Sequence, residues 1–432
     1  MDRGGEQRRP SGRPAVGKSA TSWSEARRLA FECAAPIPAL PVPLAKSIGR
    51  TLARAVTTSQ DLPHYASSAM DGWAVSGSGP WTLVKPGQPL APHRASPIAT
   101  GGLVPTGTDA VLRRESGRTS DDMAGVPALT LGSEARPGEP RSGQHVRQAG
   151  EEAAAGEMLI AAGTVLNPAH IALAAIAGHD ELHVFGKPRV TILLTGAEVV
   201  TSGLPGPGQV RDAFGPQLGT VLAMLGGVPA GQRRIGDSYH EWLAALSDTG
   251  SRPVERPDVV ITTGGTGRSG TDHFRNAIAA LGGRLLLDGI AMRPGHPAVL
   301  AELPDGRFVV GLPGNPLAAM MALMTIGAPL IAALGHRPLS NLSRVTSGTA
   351  IDPDPGRTRL MPFRFSNGLA FPAHHTGPGM MRGLAWADGV LAVPPSGARA
   401  GDLVPALPLP WTQTLTAGSA GSHPFNASVL PV

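Results

Sequence analysis

A single cysteine, Cys33, in a chain of 432 residues rules out an intramolecular disulfide and any zinc site built on several thiolates. A chain of this size without disulfides suits a reducing, cytoplasmic compartment. Aromatic residues are scarce as well, with 9 Phe, 6 Trp and 2 Tyr, so no stacking platform for single-stranded nucleic acid is evident. Net charge is small: 37 Lys and Arg against 32 Asp and Glu leave +5, and Arg3, Arg8, Arg9, Arg13 and Lys18 supply much of that excess. We therefore expect no nucleic-acid partner. No apolar stretch follows the basic start, which excludes a signal core, and runs such as Leu317 to Leu334 are broken or too short for a convincing membrane span. The 13 His show no metal-ligand spacing.

What the chain does contain is enough apolar residue, 41%, for several cores, and 57 Gly and 43 Pro to separate them by turns. Residues 1–20 read as a disordered basic tail, and 412–432 as a second disordered tail. Ser22 and Glu25 have the spacing of a capping box for a helix through Ala30, and a second helix is expected from Leu44 to Ala55. Residues 21–60 and 144–186 then form a discontinuous helical, linking domain. Within 61–143, short β-like runs at Trp81–Val84, Ala110–Arg113 and Leu129–Leu131 predict a small inserted β domain. From 187 to 337 strands and helices alternate: strands at Val190–Leu194, Val259–Thr262 and Phe308–Val310, helices at Pro216–Leu225, His273–Leu281 and Leu317–Leu334. Such alternation predicts a doubly wound α/β domain with ligands at the carboxyl ends of its strands. Residues 340–408 read as a C-terminal β barrel-like or sandwich domain.

The chemistry should sit at those strand ends. Val259 to Thr263 runs into Gly264-Gly265-Thr266-Gly267, where backbone N–H groups can approach a phosphate closely and Thr262, Thr263 and Thr266 add hydroxyls. A tight structural turn is the plainer alternative. Glu198 ends one strand, Asp237 follows a weaker one, and Asp272 opens the helix after the glycine loop. Acids gathered beside phosphates need a cation, which suggests Mg²⁺; solvated loop acids are the alternative, most of all for Asp237. Pro313, Gly314 and Asn315 form a turn into a helix, with Asn315 as N-cap and Pro316 at its first position. Arg147, near Glu151 and Glu152, and Thr100, before Gly101, are ordinary loop residues when taken alone.

Taken in order, Gly49-Arg50-Thr51-Leu52-Ala53, Asp61-Leu62-Pro63 through Ser68-Ala69-Met70-Asp71-Gly72 to Val75, Thr100-Gly101, Arg147 with Gly150-Glu151, Thr195-Gly196, Gly264-Gly265, Pro294-Gly295 and Gly311-Leu312-Pro313-Gly314-Asn315-Pro316 resemble the molybdopterin molybdenumtransferase (MoeA) family. The likeness runs from Ser22 to about Val404. It implies a four-part subunit whose α/β domain is MoaB/Mog-like, and an elongated homodimer. It also implies a reaction: adenylylated molybdopterin and molybdate give molybdenum-molybdopterin and AMP, with Mg²⁺. Carried over residue by residue, it implies catalytic roles for Asp71, Glu198, Asp272 and Arg293. Thr100, Arg147, Thr263, Gly264, Gly265, Thr266, Pro313, Gly314 and Asn315 would hold the cofactor, and Glu198, Asp237 and Asp272 the metal. In the implied dimer, Asp71 and Thr100 of one subunit face Glu198 and Asp272 of the other.

The sequence departs from the family pattern where cations are expected. Gly289 stands in place of a lysine, Arg293 replaces the first lysine of a Lys-Pro-Gly-Lys run and His296 the second. Ala197, Asp212-Ala213-Phe214 and Gly377-Pro378-Gly379 are further departures. An active molybdate insertase and a paralogue that binds molybdopterin without inserting metal both fit this pattern. A scaffold that kept only the dimer fits less well, because Asp71, Glu198 and Asp272 all remain.

Overall fold

Ser22 caps the first helix, Trp23–Glu32, by accepting the Glu25 N–H on its hydroxyl, as the spacing predicts. The computed structural model describes residues 20–121, 125–248, 250, 256–267 and 273–412. The two expected tails, apart from Ala20 and Thr412, and the site candidate Asp272 lie outside the described residues. The chain divides into two units: one takes the sequence up to Pro38 and again from Phe185, the other is Ala39–Val184.

In the first unit a six-stranded sheet runs in the order Val228–Arg234, Arg189–Leu194, Val259–Thr263, Phe308–Leu312, Val299–Glu302, Arg284–Asp288. The first four strands are parallel, and the last two pair antiparallel. Alternate residues of the central strands feed opposite cores. Val190, Ile192, Val259, Ile261 and Val310 pack with the helices Leu218–Met224 and Pro316–Leu334. Leu193, Val260 and Val309 pack with Trp242, Leu246, Phe274 and Ile278, from the helices Tyr239–Ser247 and Phe274–Ala280. Burial on both faces explains the unbroken apolar text of these strands, and the doubly wound α/β expectation holds. The helix Tyr239–Ser247, capped by Ser238, and the antiparallel pair are elements that the sequence pattern left unmarked.

The stretch that looks broken in the sequence is one helical run, Pro316–Leu334, 89% buried. It is long and apolar enough to cross a membrane by length alone, yet it is the central core helix of this unit. Pro329 would deprive the turn before it of a donor, and the helix answers with a π-turn over Leu323–Gly327, in which the Ala328 N–H donates to the Leu323 carbonyl. Thr325, inside that turn, donates to the Met321 carbonyl at 2.6 Å and accepts the Trp23 indole N–H at 3.0 Å.

A second, seven-stranded sheet covers the other side of this helix. Its path is Thr21–Ser22, Ile290–Arg293, Thr358–Ser366, Gly389–Val393, Leu403–Pro408, Ser343–Thr346, with Leu369–Pro372 added on Thr358–Ser366. Leu360, Val390, Ala392 and Leu407 face the helix, while Phe363, Leu391, Val393 and Val404 form a separate core on the reverse face. The C-terminal β expectation thus holds, with strands recruited from residues 21–22 and 290–293.

The second unit is built on a six-stranded sheet in the order Ala110–Arg113, Gly72–Ser76, Arg94–Ile98, Trp81–Leu83, Pro127–Leu131, Gly117–Asp121, closed over Val75, Trp81, Leu112 and Leu129. The expected helix from Leu44 to Ala55 is only Leu44–Ser47. Gly49 at φ +72° turns the chain, and Thr51 and Leu52 join β-bridges to Val165 and Val184 instead. A helix not foreseen, Pro168–Ile176, carries a complete capping box between Asn167 and His170.

Glu139 ties down one margin of this sheet. It is 6% exposed and accepts from Arg113 at 3.0 and 3.3 Å, from the Ser116 hydroxyl at 2.9 Å and from the Arg136 N–H at 3.0 Å. The Arg113 bonds, chiefly, hold its carboxyl down at about 2 against the opposing effect of burial. A depressed folded-state pKa gives stability that is complete above the ordinary carboxylate value of 4.5 and is lost as pH falls toward 2. Glu139→Ala should therefore cost about 3 kcal/mol at pH 7, because Arg113 loses its partner. The difference from the parent should shrink between pH 4.5 and 2 in urea melts that follow the tryptophans.

Candidate functional site

Four parallel strands that stop together make the site. Leu194 lies opposite Thr263 on one side and Arg234 on the other, and Thr263 lies opposite Leu312. The residues just beyond, Thr195, Ile235, Gly264 and Pro313, therefore leave the sheet side by side. The Gly264 N–H donates to the Leu312 carbonyl at 2.8 Å, the Ile235 N–H to the Leu194 carbonyl at 2.9 Å, and the Thr195 hydroxyl to the Thr263 carbonyl. These bonds fix the loops to one another before any ligand enters.

Above them opens a cavity of about 900 Å³. Glu198, Asp237, Thr263, Gly264, Gly265, Thr266, Pro313, Gly314 and Asn315, all named from the sequence, line it together. Thr262 does not: its hydroxyl is buried without a hydrogen-bond partner, so it is not one of the expected donors to this space. Asn315 is the N-cap of the helix and Pro316 its first residue, but the Asn315 side chain makes no capping bond and stays at the cavity edge.

The glycines of the loop have different reasons to be glycine. Gly265 has φ +68°, and a Cβ there would meet the Trp242 ring at 2.4 Å. Its requirement is already explained by packing under the loop, rather than by a ligand above it. Gly314 has ordinary backbone, and the nearest atom to a Cβ would be the Gly264 Cα at 3.8 Å, so nothing in the fold demands glycine.

Charge in the cavity is arranged in pairs. Asp237 accepts the Ala197 N–H at 3.2 Å and so steadies the turn that carries Glu198. Asp212 accepts the N–H groups of Phe214 and Gly215, each at 2.9 Å, and holds Arg234 at 2.7 Å. Arg211, Arg234, Trp242, Phe214, Gly379 and Met381 line the cavity and were not anticipated. Arg234 ends a strand in register with Leu194, the level at which the other site loops begin, a placement that strand pairing and not the sequence reveals. Arg275 works from behind, donating to the carbonyls of Thr266 at 3.1 Å and Gly267 at 2.7 Å.

Among the described residues no group of three or more His, Cys, Asp and Glu is gathered to hold a metal. Of the three acids expected for Mg²⁺, Glu198 and Asp237 share the cavity. One or two carboxylates are enough for an ion that keeps water and phosphate oxygens as its other ligands, so the donor chemistry fits.

Arg293 does not line the cavity. It lies at the end of its strand, 65% exposed along its side chain, with Nη1 3.7 Å from Asp354 Oδ2. Arg357 grips Asp354 Oδ1 twice, at 3.0 and 2.9 Å, and Arg359, in register with Arg293, donates to the Asp352 carbonyl at 3.1 Å. Asp354 Oδ2 is buried and accepts no hydrogen bond. Arg357 is a further basic residue that the motifs did not reveal. Gly289 has φ +88°, so a lysine at that position would be strained, and His296 beside it gives its Nδ1 to a hydrogen bond with the Ile290 carbonyl at 2.8 Å.

The remaining candidates belong to the other unit. Asp71 Oδ1 accepts the Thr100 N–H at 2.7 Å and its hydroxyl at 3.1 Å. The backbone bond and then the hydroxyl hold this exposed carboxyl below the usual range, against an opposing desolvation that outweighs the lesser help of the Arg114 charge. The Thr100–Gly102 loop is bonded to Ser68, and Arg147 is paired with Ser67 on the adjoining strand, which gathers Asp71, Thr100 and Arg147 on neighbouring segments.

Three family models match the chain: MoeA N-terminal region (domain I and II) over residues 21–178, a probable molybdopterin binding domain over 191–333, and MoeA C-terminal region (domain IV) over 344–409. A molybdopterin molybdenumtransferase of Nostoc sp. is 32% identical over 307 residues, 66% of this chain and 67% of that protein. A molybdopterin molybdenumtransferase 2 of Mycobacterium tuberculosis is 29% identical over 409 residues, 86% and 95% of the two chains. The crystal structure of a molybdopterin biosynthesis MoeA protein from Pyrococcus horikoshii OT3 superposes with a TM-score of 0.68 at 22% identity, over 90% of this chain and 100% of that one, a likeness of fold.

Two substitutions separate packing from ligand contact. Gly265→Ala should lower stability by about 2 kcal/mol or more in denaturant melts, and Gly314→Ala by less than about 0.5 kcal/mol. Thr100→Ala should raise the Asp71 titration midpoint, measured by carboxyl NMR, part of the way to that of an ordinary aspartate, because the backbone N–H bond remains.

Proposed function

The chain belongs to the molybdopterin molybdenumtransferase (MoeA) family, and from that premise we propose that it inserts molybdate into adenylylated molybdopterin and releases AMP. The observation that carries this reading is the strand-end cavity of about 900 Å³, which lies wholly in the segment matched to a molybdopterin-binding domain apart from its rim at Gly379 and Met381. Its floor is backbone from Gly264 to Gly267 and from Pro313 to Asn315, joined by the hydroxyls of Thr263 and Thr266, a donor set suited to a phosphate.

In this proposal the pterin phosphate rests on that floor, and Arg234, held in place by Asp212, faces the remaining negative charge. Glu198 and Asp237 would hold Mg²⁺, which when bound offsets charge on the phosphate oxygens. Arg293 and Arg357 would receive the molybdate dianion, both being permanently charged. A molybdate oxygen would then attack the phosphorus of the pterin phosphate; as that P–O bond forms, the P–O bond to AMP breaks and AMP leaves with its electron pair, and the pterin thiols displace oxygens at molybdenum with their protons leaving as water. Asp71, kept ionised by Thr100, would act from a second copy of the chain, so the proposed active form is a homodimer.

A molybdopterin-binding paralogue without turnover is the second reading. It is favoured by Gly289, whose φ of +88° would strain the lysine of the family pattern. Purified protein given adenylylated molybdopterin decides between them: molybdate-dependent AMP release supports the transferase, and tight binding with no release supports the paralogue. For the transferase, Glu198→Gln should lower release at least about 100-fold, while Arg357→Ala should raise the molybdate concentration needed about 10-fold with molybdopterin affinity unchanged. Gly314→Ala, harmless to the fold, should weaken molybdopterin binding about 10-fold in calorimetry, because its methyl group enters the ligand's space.

A further inference from the structure

A second, smaller cavity of about 190 Å³ opens between the core helix Pro316–Leu334 and the segments 337–340 and 407–410. Two guanidinium groups line it, from Arg27 and Arg337, and no Asp or Glu does. Arg27 is 5% exposed. It donates to the Met324 carbonyl at 3.2 Å and the Ser340 carbonyl at 3.1 Å, and stacks over the Trp23 ring at 5.4 Å. Arg337 donates to the Leu225 carbonyl at 2.9 Å. Neither forms an ion pair among the described residues, whereas Arg113, Arg234 and Arg307 each have a carboxylate. Burial alone lowers the pKa of both, Arg27 to about 10, with no neighbouring charge acting on either.

A buried cation is ordinarily paired, since carbonyl dipoles compensate its lost hydration only in part. Here a buried one, Arg27, and a half-buried one, Arg337, share one small space and leave most of their N–H groups uncommitted. The remainder of the lining is Met224, Leu225, Met324, Pro329, Leu339 and similar apolar residues. That surface cannot replace the water shell of a multiply charged inorganic anion, but it suits the hydrocarbon body of an organic one. The planar forks match a carboxylate. We propose that this cavity is a binding site for a small carboxylate with an apolar body, separate from the strand-end cavity.

The test uses the full chain and ¹⁹F NMR titrations with 4-fluorobenzoate, its neutral analogue 4-fluorobenzamide, and inorganic phosphate as competitor. The acid should bind at least 10-fold more tightly than the amide, and phosphate at equal concentration should leave it bound. Arg337→Gln should weaken the acid at least 10-fold. Arg337 is the more informative position, because Arg27→Met removes two carbonyl bonds and the Trp23 stack and risks the fold. Arg234→Gln, which alters the other cavity, should leave acid binding unchanged. Four results would overturn the proposal: no binding of either probe, equal affinity of acid and amide, full displacement by equimolar phosphate, or loss in Arg234→Gln with none in Arg337→Gln.

Discussion

The constraint on which this molecule turns is the register of four parallel strands. Each central strand must satisfy its backbone groups with a neighbour on both sides while both faces are buried, so none can slide without leaving unpaired N–H and C=O groups in the core. Leu194, Thr263, Leu312 and Arg234 therefore end at one level. The loops that follow are thrown together and tied by the Gly264 N–H, the Thr195 hydroxyl and the Asp237 carboxylate. The cavity is a by-product of sheet alignment, and its backbone donors are set in place by the core beneath.

The long helix behind that sheet sets a second condition. It is packed on both sides, by the α/β sheet and by the seven-stranded one, and must be apolar all round. Its interior proline is accommodated by the π-turn, and the turn in turn positions Thr325 to hold the Trp23 indole. The N-terminal helix is thereby fastened to the core helix by a buried polar bond at the same level as the Arg27 cation. A segment remote in sequence becomes part of the unit that carries the cavity.

Positive charge is handled in contrasting ways. Arg234 is held by a nearly buried aspartate and presented to the large cavity, and Arg357 is fixed to Asp354 beside Arg293. These arrangements give oriented charge at low flexibility, which suits anionic substrates. Arg275 instead spends its donors on loop carbonyls and shapes the backbone.

The sequence alone determined the α/β alternation, the helix cap at Ser22, the Asn315-Pro316 helix start and three of the six strands of the inserted sheet, because each rests on local periodicity or on one residue's backbone preference. It also marked most of the loop residues of the cavity, since a glycine loop after an apolar strand is readable in one dimension. It overextended the helix after Leu44, where Gly49 and the β-bridges to distant Val165 and Val184 prevail over local propensity. Only the tertiary structure decided that Gly265 is fixed by the Trp242 ring, that Arg293 stands with Arg357 outside the cavity, and that Arg211 and Arg234 lie inside it. Those outcomes depend on which strands pair and where they stop, and pairing between residues tens of positions apart leaves no periodic trace in the chain.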